Sequence, residues 1–409
     1  MLAVHGPPGH TVAGRRVGIT GIGVLACCGN SREAFWQGLL REPPDGERRV
    51  RDFDATPYFG PKEVRRVDRF TQLAVAAAEE ALADAAGGVE QVIGALGVDP
   101  ERAGVFVGTG VGGLETLEIQ VLIHAEKGPR RVSPFLVPMI MCNAAAATIS
   151  MRYGFRGPCE NTVTACAAGT HSVGNAARLV ATGRCDVMIA GASEASMTPV
   201  GMTGFQNMTA LSTTGRSMPF DAERDGFMIS EGAAILILEE LEHARARGAH
   251  VYAEILGAAS NADAHHITAP SPGGTGAMTC MELAIADATL TPAAITHINA
   301  HGTSTPLNDA AEAEAIGKLF GTPGPPVTST KGVTGHALGA AGALEAAAVA
   351  LSIQHRLIPP TAGWRTPDPD IHLDLVVGEP RAWEPGPALS NSFGFGGHNG
   401  CLVIGPPPA

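Results

Sequence analysis

The stretch that decides the fold is Asn161-Thr162-Val163-Thr164-Ala165-Cys166-Ala167-Ala168-Gly169-Thr170. A β-prone run at 162–164 leads into Cys166, and residues 167–181 follow as a small-residue, largely apolar helix. The thiol is therefore predicted at a strand-to-helix turn, near the positive end of a helix dipole. That position lowers the pKa of a cysteine and favours the nucleophilic thiolate. A buried structural cysteine is the competing interpretation, because most free cysteines behave as small hydrophobic residues.

The composition of the chain is that of an ordinary globular protein. It has 409 residues, of which 45% are hydrophobic and 17% charged, and this length indicates two domains or one large domain of two similar halves. The net charge of −12 argues against general nucleic-acid binding. No apolar run is long enough to span a bilayer. Residues 1–15 lack the features of a secretion signal and are predicted to form a loose N-terminal tail.

The cysteines indicate the redox environment. Eight of them are scattered along the chain without CxxC spacing or a paired framework. This pattern is typical of reduced thiols, and it predicts a cytoplasmic location.

Predicted strands and helices alternate from residue 16 to the C-terminal end. The alternation indicates a mixed α/β fold with a mainly buried sheet. We interpret residues 16–255 as a first half that carries the cysteine and residues 256–409 as a second, similar half. Strands are predicted at 16–22, 102–108 and 186–191, and helices at 32–40, 70–86 and 137–151.

A glycine-rich turn, Gly108-Thr109-Gly110-Val111-Gly112-Gly113, matches the GxGxxG pattern of dinucleotide sites. Such a site needs an acidic residue about 20 positions further on, where this chain has Arg130 and Arg131. The Lys-Ser/Thr ending of a phosphate loop is missing as well. Nucleotide binding is therefore not predicted.

Two histidines downstream of Cys166 lie in unusual settings. His301 directly follows a predicted strand and precedes Gly302, and His336 follows Gly335 at the start of an alanine-rich helix. A single histidine is more often a satisfied polar group than a catalyst. Two histidines at loop ends, together with a thiol at a helix N-terminus, favour nucleophilic catalysis.

These stretches, with the terminal segment Asn391-Ser-Phe393-Gly394-Phe395-Gly396-Gly397-His398-Asn399-Gly400, resemble the β-ketoacyl-acyl-carrier-protein synthases and in particular the type II elongating enzymes. The resemblance extends from about residue 16 to residue 404. It implies a thiolase-like αβαβα sandwich of two similar halves and a dimeric assembly. It also implies transfer of an acyl group from a carrier-protein thioester to Cys166, followed by decarboxylation of a malonyl thioester and Claisen condensation.

The resemblance also implies a role for each matching residue. The backbone N–H groups of Cys166 and Phe395 would form the oxyanion hole, and His301 and His336 would donate hydrogen bonds to the enolate oxygen. A charged pair would support the histidines, and two threonines would hold the pantetheine arm. These supporting residues are Lys331, Glu345, Thr303 and Thr305.

Phe395 is expected to gate access to Cys166, next to a second mobile loop at 263–270. The adjacent His265 and His266 in that loop lack a third ligand at suitable spacing, so no metal is predicted. No cofactor is expected either, apart from the phosphopantetheine that carries the substrate. The residues expected to bind substrate in addition to the threonines are Val111, Phe205, Thr268, Phe393 and Phe395.

Local basic clusters in this acidic chain predict an acidic partner. Charge complementarity steers encounter and fixes orientation, and the resemblance implies an acyl carrier protein as that partner. A solvated helix face is the competing interpretation. The predicted docking residues are Lys62, Arg65, Arg66, Arg69, Arg130 and Arg131.

The sequence departs from the family pattern at two places. His398 stands where the elongating enzymes commonly have threonine, and Ala26-Cys27-Cys28 after Leu25 stands where they usually have Ser-Pro and a small apolar residue. Neither change touches the predicted reaction centre, but both leave the physiological role open. Acyl chain length and the choice between homodimer and heterodimer also stay open.

Three alternatives remain. One is a ketosynthase subunit of a type II polyketide system, paired with a chain-length partner. Because the chain-length partner lacks the nucleophile, Cys166 shows that this chain is not that partner. A second is a thiolase, for which Cys401 superficially fits as the second cysteine, although the paired histidines favour the decarboxylating class. The third is a non-catalytic carrier-binding subunit, which would need none of Cys166, His301 or Lys331.

Overall fold

The structure is a computed structural model that describes residues 14–44 and 46–408. Most of the predicted N-terminal tail lies outside the described residues. Arg15, at the end of that tail, is ion-paired with Asp186 at 3.0 Å.

The strands form one ten-stranded sheet in the order β3-β2-β4-β5-β1-β6-β12-β11-β7-β8, and β9 pairs with β10 apart from it. The strands are β1 (Val17–Ala26), β2 (Ala103–Gly108), β3 (Cys159–Glu160), β4 (Val187–Glu194), β5 (Gly232–Glu240), β6 (Ala253–Ala262), β7 (His297–Asn299), β8 (Val327–Thr328), β9 (Leu357–Ile358), β10 (Arg381–Ala382), β11 (Ala388–Gly394) and β12 (His398–Gly405).

The sheet consists of two five-stranded parts with the same topology. In the first part, β5 pairs antiparallel with both β1 and β4, while β2 pairs parallel with β4 and β3. In the second, β12 pairs antiparallel with both β6 and β11, while β7 pairs parallel with β11 and β8. The two parts meet where Val17, Gly18 and Ile19 of β1 pair with β6. This repeated strand order confirms the prediction of two similar halves.

The helices complete the layers. They are α1 (Arg32–Leu39), α2 (Thr56–Glu63), α3 (Arg69–Ala86), α4 (Val92–Leu96), α5 (Leu114–Lys127), α6 (Leu136–Ile140), α7 (Ala144–Tyr153), α8 (Ala168–Ala181), α9 (Pro199–Asn207), α10 (Leu241–Ala246), α11 (Thr275–Asp287), α12 (Pro306–Phe320), α13 (Lys331–Thr334) and α14 (Ala341–His355). Short 3-10 turns lie at Val64–Arg66, Pro100–Arg102, Pro129–Arg131, Pro272–Gly274, Pro292–Ala294 and Leu338–Ala340.

Packing between these helices and the sheet produces the αβαβα sandwich. Helix α3 covers the outer face of β1, β4 and β5, and α11 covers β6 and β12. Helices α8 and α14 lie between the two halves and contact strands of both. The central layer is shielded from solvent, since every residue of α14 from 341 to 353 is buried.

Glycine allows the two central helices to approach each other closely. A Cβ atom on Gly169 would lie 2.6 Å from the backbone nitrogen of Ala343, and one on Gly342 would lie 2.1 Å from Oγ1 of Thr170. Side chains at these positions would separate α8 from α14. Because α8 follows Cys166 and α14 follows His336, this contact fixes the distance between the two reactive groups.

Several predicted boundaries need correction. Residues 162–164 are not a strand; the strand before Cys166 is β3, Cys159–Glu160. The helix predicted at 137–151 is two helices, α6 and α7, because Met141 adopts an extended conformation (φ −62°, ψ 132°). The predicted division between residues 255 and 256 falls inside β6, and it stays a prediction. None of the helices in the described ranges is both long and apolar enough to cross a membrane.

Candidate active site

Cys166 sits on a tight turn between β3 and α8. The preceding residue, Ala165, has a φ of +48°, in the left-handed region that costs energy for a residue with a side chain. Gly394 packs against this turn, since a Cβ atom there would lie 3.0 Å from the backbone nitrogen of Cys166. The nucleophile is therefore held by its own turn and by the end of β11.

Three reactive side chains from different loops converge at this point. The Sγ atom of Cys166 lies 3.1 Å from Nε2 of His336, and one nitrogen of His301 completes a group whose ligand atoms all lie within 4.8 Å of one another. The imidazole rings of His301 and His336 meet edge to face with centroids 5.4 Å apart. All three residues are buried. The structure therefore brings the predicted Cys-His-His set together.

The prediction that the thiol has a lowered pKa is wrong for this state of the molecule. Burial raises the pKa of Cys166 to about 11, although the backbone N–H of Phe395 and the ammonium of Lys331 act in the opposite direction. Loss of hydration outweighs the favourable dipole and charge. The thiol is thus stored in its protonated form.

Alkylation of Cys166 tests this pKa. We expect the rate of carbamidomethylation by iodoacetamide to rise about tenfold per pH unit from pH 7 to pH 10, since only the thiolate reacts. Peptide mass spectrometry would follow the Cys166 peptide, with a small free thiol alkylated in parallel as a control. A plateau in the Cys166 rate below pH 8.5 would contradict the raised pKa.

Two backbone N–H groups point at the same sulfur atom. The amides of Phe395 and of Cys166 itself both interact with the thiol and favour its negative form. An oxyanion hole requires two such donors beside the nucleophile, aimed at the position that the substrate's carbonyl oxygen will occupy. The assignment of these two amides to the oxyanion hole stays a prediction.

Buried carboxylates that the sequence analysis missed hold the His301 loop. Glu312 of α12 accepts hydrogen bonds from the backbone amides of His301 and Gly302, both at 2.8 Å. One turn earlier, Asp309 accepts from the amide of Ser304. The spacing of Asp309 and Glu312 places them on one face of the helix that starts directly after the loop. That spacing is the signal that could have revealed them.

The His336 loop is fixed from the opposite side. The amide of His336 donates to the carbonyl of Met228 at 2.7 Å, and its carbonyl accepts from Ser230 at 3.0 Å. The ring packs edge-on against Phe227, with centroids 4.9 Å apart. The orientation of His336 is therefore set by the segment before β5.

Both histidines are kept neutral by their surroundings. Burial holds the pKa of His301 and of His336 well below the usual value, and the positive charge of Lys331 adds to this effect. Lys331 forms a short ion pair with Glu345, and both side chains are almost completely buried. Burial raises the pKa of Glu345 to about 7, against the effect of Lys331. The predicted Lys331–Glu345 pair thus exists as a buried unit beside the histidines.

A third missed carboxylate, Glu194, connects two loops of the site. Its side chain accepts hydrogen bonds from the amides of Gly110 at 2.6 Å and Gly339 at 3.3 Å. Burial raises its pKa to about 7. The glycine-rich turn after β2 is therefore tied to the segment that follows His336.

A cavity of about 440 Å³ leads to the three reactive groups. Its walls combine apolar rings near the thiol with hydroxyl and amide groups further out. Val111 is not among the lining residues and is 42% exposed, so its predicted role in substrate binding stays a prediction. The lining includes the predicted residues Phe205, Thr268, Thr303, Thr305, Phe393 and Phe395, and also Met208, Asp225, Phe227, Leu338 and Asn399.

The set of one sulfur and two imidazole nitrogens could also hold a thiophilic ion such as zinc. In the sequence, His265 and His266 are the only residues at which a metal site was considered. The absence of a bound metal stays a prediction.

The predicted docking residues fall into two groups in the structure. Lys62, Arg65, Arg130 and Arg131 are exposed. Arg66 lies 4.6 Å above the ring of Phe135, in the segment that follows Arg131. Arg69 differs, because two of its nitrogens bond the buried carboxylate of Glu231 at 2.6 and 2.8 Å. The guanidinium of Arg69 is therefore engaged in an internal ion pair, and the prediction that Arg69 belongs to a free docking surface is not supported.

A thiolase-like sandwich with a Cys-His-His centre defines the class of condensing enzymes. The β-ketoacyl synthase N-terminal domain profile matches residues 44–244, and the C-terminal domain profile matches residues 252–365. The chain belongs to the β-ketoacyl synthase family.

Similar proteins agree with this membership. The chain is 45% identical over 412 residues to 3-oxoacyl-(acyl-carrier-protein) synthase 2 of Synechocystis sp., with 95% of this chain and 98% of the relative covered. The protein of the same name from Staphylococcus aureus is 43% identical, with the same coverage.

Solved structures are similar as well. A β-ketoacyl synthase from Burkholderia phymatum superposes with a TM-score of 0.88 at 33% identity, covering 96% of this chain and all of that one. A type II polyketide ketosynthase in complex with its acyl-carrier protein superposes with a TM-score of 0.86 at 34% identity and the same coverage.

Proposed function

We propose that this chain is a β-ketoacyl-acyl-carrier-protein synthase that extends an acyl chain by two carbons. The observation that carries the proposal is the convergence of a thiol, two neutral imidazoles and two backbone amides at the end of one cavity. A thiolase would share the fold and the cysteine. The pair of neutral histidines favours decarboxylative chemistry, because an enolate oxygen needs uncharged donors that do not titrate at working pH.

In the first half-reaction, Cys166 attacks the carbonyl carbon of an acyl thioester. The proton of the Cys166 thiol ends on the sulfur of the departing carrier, and Nε2 of His336, 3.1 Å from Sγ, donates a hydrogen bond to the attacking sulfur. The amides of Cys166 and Phe395 stabilise the tetrahedral oxyanion. Collapse expels the carrier thiol, which takes a proton, and leaves a thioester on Cys166. One thioester replaces another, so the exchange is close to isoenergetic.

In the second half-reaction, a malonyl thioester loses carbon dioxide. The electrons of the broken bond move into an enolate, and His301 and His336 donate hydrogen bonds to its oxygen. Each preorganised donor contributes about 10²–10³ in rate. The enolate carbon attacks the acyl group on Cys166, and the thiolate leaves. The Lys331–Glu345 pair acts at a distance, by keeping both histidines in the neutral form.

Two loops over the cavity are proposed to admit the pantetheine arm. The segment with Phe395 is linked to the 263–270 loop, since the amide of Gly396 donates to Ile267 at 2.7 Å and the amide of Asp263 donates to Gly397 at 2.9 Å. Thr303 and Thr305 share a hydrogen bond of 2.9 Å at the cavity wall. Their hydroxyl groups are suited to bind the amides of the arm.

The exposed basic surface of Lys62, Arg65, Arg66, Arg130 and Arg131 is proposed to dock an acidic acyl carrier protein. Reversing the charge of Arg130 and Arg131 to Glu is expected to raise the KM for acyl carrier substrate by about tenfold at low salt, because electrostatic steering is lost. Steady-state kinetics at two ionic strengths would measure it. Arg41→Glu, an exposed change outside the clusters, is the control. An unchanged KM would exclude this surface.

A second chain is proposed to cover an apolar surface at one edge of the sheet. Helices α5 to α7 expose Ile119, Val121, Leu122, Val137 and Met151, each by 49% to 77%, and the edge strand β3 is exposed beside them. Exposed apolar area of this extent marks a protein interface. Both a homodimer and a heterodimer with a ketosynthase-like subunit fit this surface.

A ketosynthase subunit of a type II polyketide system is the second candidate function. One similar structure is a ketosynthase/chain length factor, with a TM-score of 0.88 at 33% identity and 96% of this chain covered. The proposed chemistry is the same in both cases and uses only this chain's own groups and the carrier-bound substrate. We also propose a cytoplasmic location, since all eight cysteines are free.

The decisive experiment is intact mass after mixing the purified protein with saturated, polyenoyl and β-ketoacyl carrier thioesters. A mass gain of one acyl group that is absent in Cys166→Ala would establish the acyl-enzyme. Addition of malonyl-carrier should then release a product two carbons longer. Loading of saturated chains favours fatty-acid elongation, and loading of polyenoyl or ketoacyl chains alone favours polyketide synthesis. Absence of loading with every carrier would overturn the proposal for the isolated chain.

A further inference from the structure

Two adjacent cysteines, Cys27 and Cys28, occupy a tight turn beside the active site and have no part in the proposed reaction. The turn joins Ala26 to Gly29 through two backbone hydrogen bonds of 2.9 and 3.1 Å. Both cysteines are half-buried residues with free thiols, and the two thiols interact directly with each other.

The first of these thiols touches the segment that leads to His336. The Sγ atom of Cys27 lies 3.3 Å from the carbonyl oxygen of Thr334 and 3.5 Å from that of Val333. Both carbonyls belong to α13, which starts at Lys331 and ends directly before Gly335 and His336. The thiol of Cys27 is thus a hydrogen-bond donor to the backbone that carries two groups of the site.

The two sulfur atoms are electrostatically unequal. The hydrogen bond from Cys28 lowers the pKa of Cys27, and the positive charges of Arg48 and Arg51 add to this effect. The same contact raises the pKa of Cys28. Cys27 is therefore the better nucleophile of the pair, and Cys28 is placed to resolve an oxidised sulfur.

We propose that Cys27 and Cys28 form a redox modification site at which a hydroperoxide closes a disulfide between adjacent residues. The thiolate of Cys27 attacks the peroxide oxygen, which breaks the O–O bond and gives a sulfenic acid and an alcohol or water. The thiol of Cys28 then attacks the Cys27 sulfur. Water leaves with the sulfenic oxygen, so two thiols are oxidised and one peroxide is reduced.

The bond so formed is suited to a reversible switch. Adjacent Cα atoms are about 3.8 Å apart across a trans peptide, which is shorter than the separation of about 4.4–6.8 Å in ordinary disulfides. A strained disulfide is readily reduced, and disulfides of this kind are the regulatory ones. Oxidation also removes the S–H donor, so Thr334 and Val333 lose a contact that helps hold the His336 segment.

Mass spectrometry tests the chemistry independently of catalysis. The Cys166→Ala variant treated with hydrogen peroxide is expected to lose the mass of two hydrogen atoms in the peptide that contains residues 27 and 28, and dithiothreitol should restore it. With Cys28→Ala added, oxidation should stop at a sulfenic acid on Cys27 that dimedone traps. A Cys159→Ala change, which removes an exposed thiol elsewhere, should alter neither result. Oxidation confined to other cysteines would overturn the proposal.

The effect on catalysis rests on the proposed function and needs a separate measurement. Condensation is expected to fall by about tenfold after oxidation, because small displacements of catalytic groups are costly, and dithiothreitol should restore it. Cys28→Ala should resist this reversible loss. A disulfide that forms without any change in rate would reject the link to His336 but keep the modification site. Absence of condensation before oxidation would count against the proposed function alone.

Discussion

Replacing His301 by alanine is expected to leave acyl loading on Cys166 intact and to slow release of the condensation product by about 10²–10³-fold. His301 faces the cavity and belongs to the group around the thiol, but it is His336 that makes the 3.1 Å contact with the sulfur. Loss of His301 therefore removes an enolate donor without removing the nucleophile or its oxyanion hole.

Two assays on the same variant measure this separation. Intact mass reports acyl loading, and release of carbon dioxide from malonyl-carrier reports decarboxylation. His336→Ala should lower both, since that residue also contacts the thiol. His372→Ala, a change at an exposed histidine, should lower neither. If His301→Ala abolished loading and left decarboxylation unchanged, the assigned role would be wrong.

Replacing Lys331 by methionine is expected to lower the free energy of unfolding by about 3–5 kcal/mol, because Glu345 is left as an uncompensated buried charge. The side chains of the pair are 1% and 2% exposed, so water cannot substitute for the missing partner. Glu345→Leu should have a similar cost. The double variant should recover most of the stability, since two apolar side chains fill the same space. Urea unfolding of the wild type and the three variants would give the free energies of unfolding for this double-mutant cycle.

The double variant also separates stability from chemistry. Lys331 lowers the pKa of both histidines, so its loss should raise their pKa values. The histidines then become protonated as the pH falls, and a positively charged imidazolium pairs with the malonyl carboxylate and so disfavours its loss as carbon dioxide. We expect the folded double variant to lose activity on the acid side of its pH–rate profile. A profile identical to that of the wild type would exclude this role.

The positions of Cys166, His301 and His336 could be predicted because each lies in a local sequence context that specifies its own turn. The glycines beside the histidines and the small residues after the cysteine are local features, and the turns that they predict are present in the structure. The contact between α8 and α14 that brings the three together is not local. It depends on Gly169, which faces Ala343, and on Gly342, which faces Thr170, and these contacts form only in the folded chain.

The properties that could not be predicted all depend on burial. A helix dipole would lower the pKa of Cys166, but its complete removal from water has the larger effect. Arg69 belongs to a basic run in the sequence, yet it pairs with Glu231, 162 positions away along the chain. Glu194 accepts a hydrogen bond from the nearby Ser196, but the backbone amides through which it connects the loops of the site belong to two distant segments.

The repeated strand order has a consequence for the assembly of the site. Cys166 follows the third strand of the first half, β3, and precedes α8; His336 follows the third strand of the second half, β8, and precedes α14. Cys166 and His336 therefore occupy equivalent positions in the strand orders of the two halves. Each half supplies one of the two side chains from the same place in its topology, and the catalytic pair exists only where the two halves meet.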